Sequence, residues 1–270
     1  MPARDDHLAD LALLTEAARA AGAVLLDWKA RGAKTWNKGG TPVTEADHAS
    51  NDLLAAHLRG ARPDYGWLSE ETADDPARLS TPRQFVVDPL DGTVSFIKGK
   101  DDFTVSLAVI ENGVAVAGAV YNPSRDEMFA AALGGGATLN DAPIRASDTA
   151  EVENCRMVAA SDMLKHPAWR EPWPPMEILK IGSIAYRLAM VAAGRADATL
   201  ALSTKSDWDI AAGDIIAREA GAFVGRHDGA PFRYNEPGTD QISLLGCTMP
   251  LYAALSARVG WITLPRRADS

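Results

Sequence analysis

The sequence predicts a layered α/β protein built on two sheets. Three observations lead there. Between residues 66 and 144, apolar runs rich in β-branched residues are separated by turn residues at hairpin spacing, which reads as an antiparallel sheet. Beyond residue 150, short strand-like runs alternate with helical stretches, the pattern of an α/β layer. A hydrophobic content of 47% over 270 residues supplies apolar surface for one large domain or two closely joined ones. The change of pattern sets the expected boundary between an N-terminal α+β subdomain, 1–150, and a C-terminal α/β subdomain, 151–270.

In chain order, residues 7 to 30 repeat Leu8, Leu11, Leu14, Ala18, Leu25 and Trp28 at helical spacing, so this is a packing helix. Trp36 to Val43 is polar and Gly-rich and reads as a mobile loop, with Lys38 placed to close over an anion. Thr44-Glu45-Ala46-Asp47 is a capping signal, and its helix continues through Leu53, Leu54 and Leu58. Gly66 to Ser69 reads as a short strand that ends in the paired acids Glu70 and Glu71. Phe85 to Val87 is a buried strand, and Phe103 to Ile110 and Val114 to Tyr121 flank the hairpin turn at Glu111-Asn112-Gly113. A further strand, Glu127 to Ala132, leads into Gly134-Gly135-Gly136, which lacks G-x-G-x-x-G spacing and is a turn; a small hairpin follows over 138–144. Later elements are a strand at Met157 to Ala160, a short helix at Ser161 to Trp169 and a strand at Ile178 to Ile181. A helix from Gly182-Ser183 to Ala193, a strand at Ala196 to Leu202 and a helix from Trp208 to Gly221 complete the pattern.

The formal net charge of −9 leaves no broad basic face for a nucleic-acid backbone, so no nucleic-acid partner is expected. Apolar runs are too short to span a bilayer, and MPARDDHLAD lacks the basic-then-apolar pattern of a secretory signal; no membrane partner and a cytoplasmic location are the expectation. Cys155 and Cys247 show no C-x-x-C spacing and the five histidines no H-x-x-x-H spacing, which argues against a disulfide framework or a zinc site.

The chemistry concentrates in Asp88-Pro89-Leu90-Asp91-Gly92-Thr93. A buried strand that empties into two carboxylates is a poor core and a good divalent-cation holder. Asp88 and Asp91 straddle what reads as a Pro-induced turn, so they can converge with the carbonyl of Leu90, and hard oxygen donors suit Mg²⁺. Gly92 allows close backbone approach to a ligand, and Thr93 brings a hydroxyl where a helix begins. Taken alone, the same residues also describe a solvated surface turn, Asp47 a helix cap, and Asp209 an acid favoured by the helix dipole.

Together, Leu68-Ser69-Glu70-Glu71, Asp88 to Thr93 and Trp208-Asp209-Ile210-Ala211-Ala212-Gly213 resemble the inositol monophosphatase superfamily of Mg²⁺-dependent, lithium-sensitive phosphatases, over essentially the whole chain. The resemblance implies an α-β-α-β-α sandwich and a homodimer. It implies two to three Mg²⁺ ions per subunit, held by Glu70, Asp88, the carbonyl of Leu90, Asp91 and Asp209, with Asp47 and Glu71 assisting. Gly92 and Thr93 would bind phosphate, and Thr93 with Asp47 would orient the attacking water, with Glu70 also counted as catalytic.

Substrate choice rests on smaller signals. Inositol monophosphatases generally carry a sugar-binding glutamate about seven residues before the Trp-Asp aspartate; Leu202 stands there. Pro42 to Asp47, Phe96-Ile97-Lys98 and Phe103 to Ser106 look more like the bacterial 3'(2'),5'-bisphosphate nucleotidase branch, which acts on adenosine 3',5'-bisphosphate. Lys38, Lys98, Lys180, Arg187 and Lys205 are candidate partners for a second phosphate, and Ser183 and Tyr186 for the leaving group; Asp91 and Asp209 also border the substrate. Inositol 1-phosphate or a related sugar phosphate is the alternative substrate. A regulatory role as a protein partner of the transcription machinery is the non-enzymatic one.

Overall fold

A computed structural model describes residues 2–264. Its first half contains α1 (Pro2–Arg31), β1 (Thr35–Lys38), β2 (Thr41–Thr44), α2 (Glu45–Ala61), β3 (Gly66–Ser69), β4 (Arg83–Asp91), α3 (Thr93–Ile97), β5 (Thr104–Glu111), β6 (Val114–Asn122), β7 (Glu127–Ala132), β8 (Ala137–Leu139) and β9 (Ala142–Ile144). The second half contains β10 (Arg156–Ala159), α4 (Ser161–Leu164), β11 (Glu177–Leu179), α5 (Ile184–Ala192), β12 (Ala198–Ala201), β13 (Lys205–Ser206), α6 (Asp207–Glu219), β14 (Ala222–Gly225), β15 (Asp240–Gln241), β16 (Leu244–Thr248) and α7 (Tyr252–Val259).

Strands β3 to β9 pair in sequence order as a seven-stranded sheet, antiparallel except for the parallel pair β3 and β4. The second sheet has five strands in the order β11-β10-β12-β16-β14; its first three are parallel, and β16 returns antiparallel between β12 and β14. Both faces of the large sheet are covered, so its strands read as near-continuous apolar runs. Phe85, Val87, Val105, Leu107 and Val109 face α1 and α2, whereas Val86, Ala108 and Ile110 face α5 and α6. The α5–α6 pair also packs on the five-stranded sheet, whose far face is covered by α7 through Leu251, Leu255 and Val259. The layers are therefore α-β-α-β-α, with α5 and α6 as the shared central filling.

Small residues let that filling close up. At Gly118 in β6, a Cβ would fall 2.5 Å from Ile215 Cγ2 and 2.9 Å from the Ala212 carbonyl, so α6 lies against bare backbone. The strand type changes between β9 and β10, near the expected boundary at 150, yet residues from both sides of it share the core around α5 and α6.

Three expectations are corrected. The passage at 36–43 is not a loop but the β1–β2 hairpin, paired from Thr35 with Thr44 to Lys38 with Thr41 and turned at Gly39-Gly40. The helix at Ser161 stops at Leu164 rather than Trp169: Pro167 disfavours helical backbone at His166, and Trp169 Nε1 donates 2.7 Å back to the Met163 carbonyl. The third concerns the turn at Pro89.

Candidate active site

Asp88 and Asp91 do not flank a turn. Strand β4 runs through Pro89 to Asp91, and Asp88 opposes Ser106 while Asp91 opposes Thr104. Three steps along β4 thus match two along β5, which is a β-bulge. In a regular strand residues three apart point to opposite faces; the extra residue restores Asp91 to the face of Asp88. That face is the one covered by α5 and α6, because Ser106 Oγ donates to the Trp208 carbonyl (3.1 Å) and Thr104 Oγ1 lies 2.9 Å from Ser183 Oγ.

Asp209 arrives from the first turn of α6. Its Oδ2 accepts from the Ser206 amide (2.9 Å) as the third residue of a capping box, and Ser206 is the N-cap. Asp47 is held the same way at the start of α2, its Oδ2 accepting from the Thr44 amide (2.8 Å) and hydroxyl (2.6 Å). Each cap fixes one oxygen and leaves the other to the site; Asp47 Oδ1 receives the Thr93 hydroxyl at 3.1 Å. Ligand oxygens of Asp88, Asp91 and Asp209 lie within 4.8 Å of one another. Glu70 stands outside this tight trio but close enough in charge to be raised to about 8 by burial and by Asp209, Glu71 and Asp91.

The electrostatics are those of carboxylates crowded out of water. Burial, then Glu70, Asp91 and Asp209, push the Asp88 carboxyl well above the ordinary range. Asp209 is pushed up to about 7 by burial and Asp91. Asp91 is raised by burial but held back by neutral donors, the Ser183 hydroxyl and the Ala185 amide, each at 2.6 Å. Like charges at this spacing, with no cation among them, fit a divalent ion with oxygen ligands.

Around the trio, Gly92 turns the chain from β4 into α3 with φ 94°, ψ 34°, where a Cβ would meet the Asp102 carbonyl at 3.0 Å. Thr93 Oγ1 lies 3.1 Å from the Leu90 carbonyl as well as from Asp47. A cleft of about 670 Å³ opens beside Gly92 and Thr93, lined also by Ser95, Lys98, Lys180, Gly182 and Arg187. Lys38, from the hairpin, donates to the Glu70 carbonyl (2.8 Å) and Glu71 Oε2 (2.9 Å), pinning the paired acids instead of reaching for a ligand. Lys205 Nζ bonds Ser203 Oγ (2.9 Å) and the Thr204 carbonyl (3.0 Å), and Asp209 is the nearest charge influence on it.

Two residues expected on the substrate side are elsewhere. Ser183 is fully buried and its hydroxyl is spent on Asp91 while accepting from the Tyr186 amide (2.9 Å), so it positions a carboxylate and meets no leaving group. Tyr186 is a core residue: its hydroxyl donates to Glu127 Oε2 (2.6 Å) and its ring packs edge-on against Phe129. Sequence reading missed Thr104 and Ser106, and also Asn51, whose Oδ1 receives the Ser69 hydroxyl (2.7 Å) beneath the Glu70-Glu71 corner. Hydroxyls at alternate positions of an otherwise apolar strand were the available signal for the first two.

The family profile described as the inositol monophosphatase family matches residues 8–246. The chain belongs to the inositol monophosphatase family. An inositol-1-monophosphatase of Mesorhizobium japonicum is 38% identical over 198 residues, covering 70% of this chain and 74% of that protein. A protein of Pasteurella multocida named Nus factor SuhB is 37% identical over 196 residues, covering 67% and 70%. The solved inositol monophosphatase of Anabaena superposes with a TM-score of 0.77 at 30% identity, covering 95% of this chain and 97% of that one. Members of the family are phosphoric monoester hydrolases, and that is the class of this chain. No helix among the described residues is long and apolar enough to cross a membrane.

Proposed function

We propose that this phosphatase is Mg²⁺-dependent and acts on a small metabolite bearing two phosphates, adenosine 3',5'-bisphosphate being the best candidate. The observation that carries the metal-dependent part is the bulge that sets Asp88 and Asp91 on one face, within 4.8 Å of Asp209. Asp88, Asp91, Asp209, Glu70 and the Leu90 carbonyl would hold two to three ions. When bound, Mg²⁺ lowers the pKa of a water nucleophile and neutralises charge on the phosphoryl and leaving oxygens.

The chain's own residues supply the rest. Gly92 and Thr93 form the corner that receives the phosphate, bare of Cβ at the one position where a side chain would strike Asp102. The Thr93 hydroxyl, held between Asp47 and the Leu90 carbonyl, orients a water on the trio side, with Asp47 as its proton acceptor. Burial keeps the Asp47 carboxyl above its usual value, which makes it a better base.

For the substrate, Lys98, Lys180 and Arg187 around the cleft favour a further anion over a neutral polyol. Leu202 packs toward the core under the five-stranded sheet and offers no acceptor to a sugar hydroxyl. The name of the Mesorhizobium relative favours inositol 1-phosphate as the second reading. That of the Pasteurella relative favours a protein-partner role. A phosphate-release panel decides: kcat/KM with Mg²⁺ should favour adenosine 3',5'-bisphosphate, and a clear preference for inositol 1-phosphate would overturn that choice. If Asp91→Asn abolished release yet fully complemented a deletion strain, the partner role would be the important one.

A further inference from the structure

We infer that Arg187 and Lys205 together form the subsite for the second anionic group and set the preference for a doubly charged ester. This rests on the proposed phosphatase reading and adds the residues that would read the substrate. Arg187 sits in the first turn of α5 and Lys205 in β13, brought into one electrostatic neighbourhood with Asp91 and Asp209. Burial pulls both cations down, and each depresses or faces the other's charge rather than a compensating carboxylate.

Neither makes an ion pair within 4.0 Å among the described residues. Arg187 Nε is committed to the Ile181 carbonyl at 2.9 Å, which fixes the guanidinium plane, and its Nη2 reaches only the Gly182 carbonyl at 3.5 Å. Lys205 touches only a hydroxyl and a carbonyl. Partly buried cations satisfied by neutral acceptors keep their attraction for an incoming anion, and a guanidinium fixed by its Nε still offers donors to phosphate oxygens. Asp91 and Asp209 do not absorb this charge once they hold metal. Arg187 lines the same cleft as Gly92 and Thr93, so one molecule with phosphates at both ends spans the reacting corner and the cation pair.

The test compares adenosine 3',5'-bisphosphate with adenosine 3'-monophosphate for the full-length protein, Arg187→Gln and Lys205→Met. The readout is the ratio of the two kcat/KM values. Wild type should favour the bisphosphate, and each variant should lower the ratio about tenfold, the scale of one hydrogen bond to a charged group. Arg187→Lys should recover part of the loss. A wild-type ratio near one, or variants that lower both substrates equally, would overturn the subsite. Lys205→Met keeps the question open to refutation if Arg187→Gln disturbs the Gly182 turn. Should wild type release phosphate from neither nucleotide, the hydrolase reading fails separately. Calorimetric binding of the bisphosphate then decides the subsite, with about tenfold weaker Kd in either variant supporting it and an unchanged Kd overturning it.

Discussion

Removing divalent metal should make the stability of this protein fall as pH rises from about 5 to 8.5, the reverse of ordinary acid sensitivity. The folded chain keeps Asp209 protonated up to about 7 and Glu70 up to about 8, while the unfolded chain releases both protons near pH 4. Between those limits the folded state binds more protons, so raising the pH favours unfolding. Moving one aspartate from 3.8 to about 7 corresponds to roughly 4 kcal/mol. The acids share one charge cluster, so that figure is used once for the whole set. At about 2 °C per kcal/mol for a chain of this size, the metal-free Tm should drop by about 8 °C across the window. Mg²⁺ displaces the protons and cancels the repulsion, and at a hundred times its Kd it adds about 2.7 kcal/mol. Differential scanning calorimetry at pH 5.5 and 8.5, with EDTA or excess Mg²⁺, should show a Mg²⁺-induced rise several degrees larger at the higher pH. Asp209→Asn should raise the metal-free Tm at pH 8.5 and blunt the response to Mg²⁺. Equal Mg²⁺ effects at the two pH values, or a full response in Asp209→Asn, would refute the reasoning.

Three further perturbations test the placement of individual residues. Ser183→Ala removes the 2.6 Å donor that aims Asp91, and Mg²⁺ affinity or kcat/KM should fall about 10- to 100-fold with the fold intact by circular dichroism. Tyr186→Phe deletes the bond to Glu127 and should cost about 1 kcal/mol in urea unfolding, with the preference among phosphate esters unmoved; a changed preference would return Tyr186 to the substrate side. Gly118→Val drives a side chain into Ile215 and the Ala212 carbonyl, and chemical unfolding should show a loss of at least about 1–3 kcal/mol.

The acids and the elements that carry them were legible because their chemistry leaves few substitutes. Hard oxygen donors followed by Gly92 announce a cation and a close backbone, and Thr44 and Asp47 announce a helix start whatever else they do. The register was not legible. Whether Asp88 and Asp91 share a face depends on how β4 pairs with β5, and a proline between two aspartates reads locally as a turn. Ser183 was misplaced for a similar reason. An N-cap serine looks available until Asp91, 92 positions earlier, is found to occupy it. Tyr186 follows, since its partner Glu127 lies 59 positions away. In the hairpin at 35–44, turn composition was visible but the four-residue ladder was not.

The neutral character of the groups around Asp91 follows from what the site has to hold. An arginine paired directly with Asp91 would settle its charge and weaken its hold on a cation, because metal and guanidinium would compete for the same oxygens. The fold supplies a hydroxyl and an amide in place of that charge, both from the first turn of α5. The arginine of that turn, Arg187, is drawn aside onto the Ile181 carbonyl. Positive charge is thus kept near the acids without neutralising them, at the central layer where both sheets meet α5 and α6 and water is scarce. Metal-free repulsion and the attraction for a doubly charged ester then share one origin: carboxylates reserved for a cation, and cations reserved for an anion, buried side by side and not paired with each other.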